Sequence, residues 1–193
     1  MSTVSRRRLL TAGAAAVLTM TSPAALLART VKDAAGDEVK LGKLDRILSI
    51  GGDVTEIIHE LGAGKRVIAV DTTSTFPPAV MALPKVGYMR ALSPEGVLSV
   101  SPDLILMETG AGPAETLAKL EGAGVKIVTI PGADSPEGVV VKVQAVAAAL
   151  GQEAKGADLA ARIEAEAAAA LAMVAAQPGP KPLCLVGPKR PCS

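Results

Sequence analysis

Four short runs of β-prone residues, almost unbroken in their apolarity, constrain this chain more than any other feature. They are Arg46-Ile47-Leu48-Ser49-Ile50, Arg66-Val67-Ile68-Ala69-Val70, Asp103-Leu104-Ile105-Leu106-Met107 and Val125-Lys126-Ile127-Val128-Thr129-Ile130. A strand with one wet face alternates polar and apolar residues, whereas a continuous apolar run needs cover on both faces. The cover is present in the intervening sequence. Val54, Ile57, Ile58 and Leu61 share one helical face after the first run, and helical patterns follow at Ser93–Ser99, Pro113–Glu121 and Pro136–Leu150. Asp53 or Thr55 is the expected cap of the first helix, and Gly62 and Gly64 its stop. Strands that alternate with helices predict an α/β fold, a parallel sheet flanked by helices. Ahead of the sheet, Thr30–Lys32 and Glu38–Leu41 flank a Gly-containing turn and read as a hairpin.

After Gly151 the pattern changes. Ala157 to Gln177 is built almost wholly of Ala, Leu, Arg, Glu, Ile, Met and Val, all compatible with a helix and most of them strong formers. At about 1.5 Å per residue such a helix spans roughly 32 Å, too long to cover one strand, and reads as a strut. Pro178-Gly179-Pro180 ends it. In the tail, Lys181–Ser193, only Leu183–Val186 has strand character, and no second α/β unit follows. Cys184 and Cys192, the only cysteines, make no CxxC or zinc spacing, and a bridge between them would require an oxidising compartment.

The first residues read as an address. Ser5-Arg6-Arg7-Arg8-Leu9-Leu10 precedes an apolar run from Ala12 to Met20 and then small residues up to Ala28. A charged start, a short apolar core and a small-residue cut site describe a secretory signal, with cleavage expected after Ala28. Paired arginines before Leu-Leu are similar to the twin-arginine export signal. The run is shorter than the ~20 residues of a membrane span, so no stable membrane insertion is expected after cleavage. Removing Arg6–Arg8 leaves a slight acidic excess, which argues against nucleic acid as a partner.

With one Phe, one Tyr and no Trp, the core must be aliphatic. The lone Tyr88 lies in Leu83-Pro84-Lys85-Val86-Gly87-Tyr88-Met89-Arg90, between the second and third strands. Ligands of open parallel sheets bind beyond the carboxyl ends of the strands. A free phenol is neutral at pH 7, with a pKa near ~10, but a ferric ion or a neighbouring guanidinium favours its anion. If the segment is extended, Tyr88 and Arg90, two apart, face the same side. From spacing alone, a half-buried ring packed under the loop is the simpler reading.

Three segments add a resemblance. Ser49–Ile58, Val70–Pro78 and Pro84–Gly96, the last holding Gly87-Tyr88-Met89-Arg90, resemble the periplasmic haem-binding proteins of bacterial ABC importers, within the wider iron and cobalamin binding-protein family. The resemblance runs from about Arg46 to Gln177. It implies a Rossmann-like lobe, one of two joined by a long helix, with haem b carried as the transported ligand in the cleft between them. It implies that Tyr88 is the axial iron ligand and Arg90 its charged neighbour. Glu95 would dock on the ABC permease, which works with its ATPase. Read without the resemblance, Glu95 is a first-turn acid favoured by the helix dipole. The expected organisation is a signal peptide at 1–28, a lobe at 29–150, an interlobe helix at 151–178 and an aberrant tail at 179–193. The sequence departs from the family after Pro182, so a second lobe is expected to be missing.

Other readings are weaker. His59 is the only histidine and reads as an ordinary helix-surface side chain; one His also argues against a zinc or manganese carrier. A siderophore or cobalamin carrier uses the same fold, although scarce aromatics disfavour such ligands. A non-functional truncated fragment is a further possibility. An enzyme is least expected: there is no G-x-G-x-x-G, Walker loop or G-x-S-x-G elbow, and Asp53 stands where a phosphate would sit.

Overall fold

A computed structural model describes residues 29–42 and 44–175. The expected signal peptide, the tail and the possible strand at Leu183–Val186 lie outside those residues. A hairpin pairs β1 (Arg29–Lys32) with β2 (Glu38–Leu41) antiparallel. The main sheet holds β3 (Ile47–Ile50), β4 (Val67–Val70), β5 (Leu104–Glu108) and β6 (Lys126–Ile130) in the order β4-β3-β5-β6, all parallel. The four apolar runs have become these four strands.

Alternation along each strand sorts the core into two layers. Ile47, Leu104, Leu106, Val128 and Ile130 face α1 (Gly52–Glu60) and α4 (Pro136–Leu150), where Val54, Ile58, Val143 and Val146 meet them. Leu48, Ile50, Ile105, Met107 and Ile127 face the other way, with Val97 of α2 (Pro94–Leu98) and Leu120 of α3 (Ala114–Gly122). Each such aliphatic side chain, taken from water into the core, contributes about 1.5–3 kcal/mol before entropy is counted. Both faces are covered, as the unbroken runs require.

Two helix boundaries differ from expectation. Neither Asp53 nor Thr55 caps α1: Gly51, at φ 110°, turns the chain so that the helix starts at Gly52 without a side-chain cap. Thr55 instead bonds back to the Gly51 carbonyl, and Asp53 is engaged elsewhere. The long helix, α5 (Glu153–Ala175), begins before the predicted Ala157 and passes through Gly156. A Cβ on Gly156 would come within 2.3 Å of the Ala147 Cβ, so glycine here lets α5 close onto α4. Leu159 and Ala160 still belong to the core, with Ile163 packed against it; beyond Ile163 α5 runs out into solvent, with Leu171, Met173 and Val174 exposed. Among the described residues no helix is long and apolar enough to cross a membrane.

The flanks of the sheet are occupied. Residues 84–87 run beside β4, with Val70 N donating to the Pro84 carbonyl and Val86 N to the Val70 carbonyl, both at 3.0 Å. On the other side the hairpin turn meets β6: Ala34 N donates to the Thr129 carbonyl at 2.9 Å and Thr129 N to Asp33 at 3.2 Å.

Candidate functional site

The carboxyl ends of the four strands lead into one set of loops, and a buried carboxylate organises two of them. Asp71, wholly buried at the end of β4, accepts from Gly51 N at 3.1 Å, Thr73 N at 3.0 Å, Thr73 Oγ1 at 2.6 Å and Ser74 Oγ at 2.8 Å. Ser74 Oγ continues to Thr55 Oγ1 at 2.8 Å, and Thr55 to Ser49 Oγ at 2.7 Å. Neutral donors thus satisfy the anion and lock the loop after β3 to the loop after β4. An Asp followed by Thr-Thr-Ser is a turn-forming string, which is the signal that could have identified this hub.

The strand order reverses between β3 and β5, and there a parallel sheet opens its usual ligand crevice. Lys142 of α4 fills it. Its side chain, 2% exposed, pairs with Asp53 and, at 2.7 Å, with Glu108. Burial works to lower the pKa of Lys142, but hydrogen bonds to both carboxylates and their charges outweigh it. The ammonium is held above the ordinary lysine range. A cation with two such partners is charged at every physiological pH. The sequence offered a weak signal: Lys142 stands beside Val143 and three residues after Val139, on the apolar face of α4.

Tyr88 lies outside that crevice, beside β4. Thr72 N donates to the Gly87 carbonyl at 2.9 Å, which delivers Tyr88 to the carboxyl edge. The expected extended segment stops there. Met89 turns inward and is buried in the second core layer, Ala91 N closes a turn on the Tyr88 carbonyl at 2.8 Å, and Arg90 sits within the turn. Tyr88 and Arg90 are both exposed, but not as alternate residues of one strand. Nor does the ring pack under its loop: Tyr88 is 48% exposed. Among the described residues neither side chain has a hydrogen bond or ion pair. Glu95, in the first turn of α2, is likewise exposed and unpaired there. Ser93 caps that helix, its hydroxyl accepting from Gly96 N at 3.0 Å.

His59 is not an ordinary surface histidine. It sits against Gly64, where a Cβ would come within 2.4 Å of its Nδ1, and its buried Nε2 has no partner among the described residues. Burial lowers its pKa.

A parallel sheet with a polar carboxyl edge, leading into a long helix, defines one lobe of an α/β binding protein. The chain belongs to the periplasmic binding protein family, whose sequence profile matches residues 47–190. That match passes Pro182, where the sequence was expected to leave the family pattern. Among solved structures, the apo periplasmic haem-binding protein of Roseiflexus sp. RS-1 is 42% identical with a TM-score of 0.69; the alignment covers 72% of this chain and 53% of that one. A periplasmic haem-binding protein from Pseudomonas aeruginosa is 33% identical with a TM-score of 0.63, over 72% and 51% of the two chains. A vitamin B12-binding protein of Vibrio vulnificus is 37% identical over 84 residues, 44% of this chain and 31% of its own length. The chain thus spans about half the length of the solved relatives and less than half of that curated one. These relatives are binding proteins by name, not enzymes.

Proposed function

We propose that this chain is the extracytoplasmic haem-binding component of an ABC importer, with Tyr88 as the ligand to ferric iron. The observation that carries the reading is the state of the lone tyrosine: half-exposed at the carboxyl edge, fixed at Gly87 by a backbone bond to Thr72, and without a partner for its hydroxyl among the described residues. A phenol so placed has a vacant oxygen and a rigid base. Iron(III), a hard cation, favours the phenolate, and Tyr is an established type of axial haem ligand. Arg90, two residues on, supplies positive charge for the phenolate or for a haem propionate. The solved haem-binding relatives support haem as the cargo.

On this reading residues 1–28 export the chain through a twin-arginine signal and are removed after Ala28. The mature protein then works in the periplasm, and Glu95 meets the permease that the ATPase drives.

Hemin titration of the purified chain tests the assignment. The wild type should show the Soret and charge-transfer bands of a tyrosinate-ligated ferric haem, and Tyr88→Ala should lose them while keeping its circular dichroism. Bands unchanged in Tyr88→Ala would place the iron elsewhere. The vitamin B12-binding relatives favour a second reading, a corrinoid carrier. Cyanocobalamin binding in the same chain, with no tyrosinate bands from hemin, would select it.

A further inference from the structure

We infer that Phe76 is the second ring of the ligand site and lies against the face of a planar macrocycle whose metal Tyr88 holds. The inference rests on the haem reading and adds a residue that sets which ligands fit.

The whole sequence contains one Phe, one Tyr and no Trp, and its core is built from aliphatic and Met side chains. Aromatic rings bury 150–250 Å² each, roughly, and gain the most from leaving water. Yet both rings of this protein stay out: Phe76 is 55% exposed and Tyr88 48%. A chain that builds its entire interior without rings, and then displays the two it has, is displaying them to something.

The two rings also share a base. Lys85 Nζ donates to the Ser74 carbonyl at 2.7 Å, two residues before Phe76. Thr72 N bonds Gly87, the residue before Tyr88, and the Asp71 carboxylate fixes Thr73 and Ser74 from beneath. Both ring-bearing segments are therefore held to the end of β4 and to each other. Rings on a backbone already ordered lose little further freedom when a ligand arrives. The partner that gains from two such rings is flat, apolar on its faces and wide enough to reach both. A porphyrin meets that description. A corrinoid, with axial groups and amide arms projecting from its faces, meets it poorly.

Metal-free protoporphyrin IX isolates the claim, because it offers the same faces and no iron for the phenolate. Titrated into the full chain and followed by fluorescence, it should bind the wild type and Tyr88→Ala with the larger share of its affinity resting on Phe76. Phe76→Ala should weaken it about tenfold, and Phe76→Trp should stay within about twofold of wild type. With hemin, Phe76→Ala should keep the tyrosinate bands at unchanged wavelength and release haem faster. Equal affinity of wild type and Phe76→Ala for protoporphyrin IX would overturn the role of Phe76. Tyrosinate bands in that same preparation would show that the haem reading survives the loss. A wild type without those bands would remove the haem reading, and this inference with it.

Discussion

The middle of the sheet's carboxyl edge and its β4 end treat their polar groups in opposite ways. Over β3 and β5, Lys142, Asp53 and Glu108 are paired with one another, and the crevice that an open α/β sheet usually offers a ligand is filled by the protein itself. Beside β4, Tyr88 and Arg90 reach out without a partner among the described residues, and Phe76, on the segment that follows β4, stands exposed. The usual rule for parallel sheets, applied by topology alone, would choose the first region. Satisfaction of the polar groups chooses the second: a group already matched inside the protein has little left to offer a ligand.

If the contrast holds, the first region should govern stability and the second binding. The largest expected effect is at Lys142. Lys142→Ala should lower the unfolding free energy by about 2–4 kcal/mol in urea, below the 3–5 expected for a fully buried pair because Asp53 is partly exposed. Lys142→Met, which keeps the alkyl packing, should recover a clear part of that loss. A substitution at Lys142 that left the urea midpoint in place would break the comparison.

Next in size, Tyr88→Ala should weaken hemin binding about a hundredfold, worth ~2.7 kcal/mol of affinity. Its unfolding free energy should move by less than about 0.5 kcal/mol, as for other exposed positions. Arg90→Ala should weaken hemin by about threefold to tenfold, with no change in the urea midpoint. A drop in stability of Tyr88→Ala comparable to that of Lys142→Ala would mean that the two regions do not divide as described.

A smaller effect separates His59 from both. Burial lowers its pKa, so the folded protein binds its proton less well than the unfolded chain does. That contribution to stability is fully present above the ordinary value near 6.5 and is lost as pH falls through it towards the lower folded pKa. Urea midpoints at pH 7.5 and 5.0 should differ more in the wild type than in His59→Gln. The smallest effect belongs to Glu95: Glu95→Ala should leave hemin affinity and stability unchanged and weaken only association with the permease.

What could be read from the sequence follows the range of the interactions that fix each feature. The four strands were legible because burial on both faces is written locally, as unbroken apolar runs. The hairpin was legible locally too, as two short extended stretches around a Gly-containing turn. The start of α5 was not, because Gly156 reads as a breaker until Ala147, on another helix, shows why a side chain is excluded. Tyr88 and Arg90 could be placed beyond the second strand, but the turn between them depends on Met89 entering the core. The Lys142 cluster joins residues 89 and 34 positions apart in sequence, and nothing in the string marks Asp53 and Glu108 as its partners. Features closed by long-range contacts needed the fold.

The occupied flanks of the sheet carry one more consequence. A bare outer strand invites a neighbour to join by backbone pairing, the route by which many β proteins aggregate or swap segments. Here the stretch from Pro84 to Gly87 blocks one side, and the bonds at Thr129 interrupt the other. A sister molecule that paired with this sheet from the side would first have to displace one of these contacts.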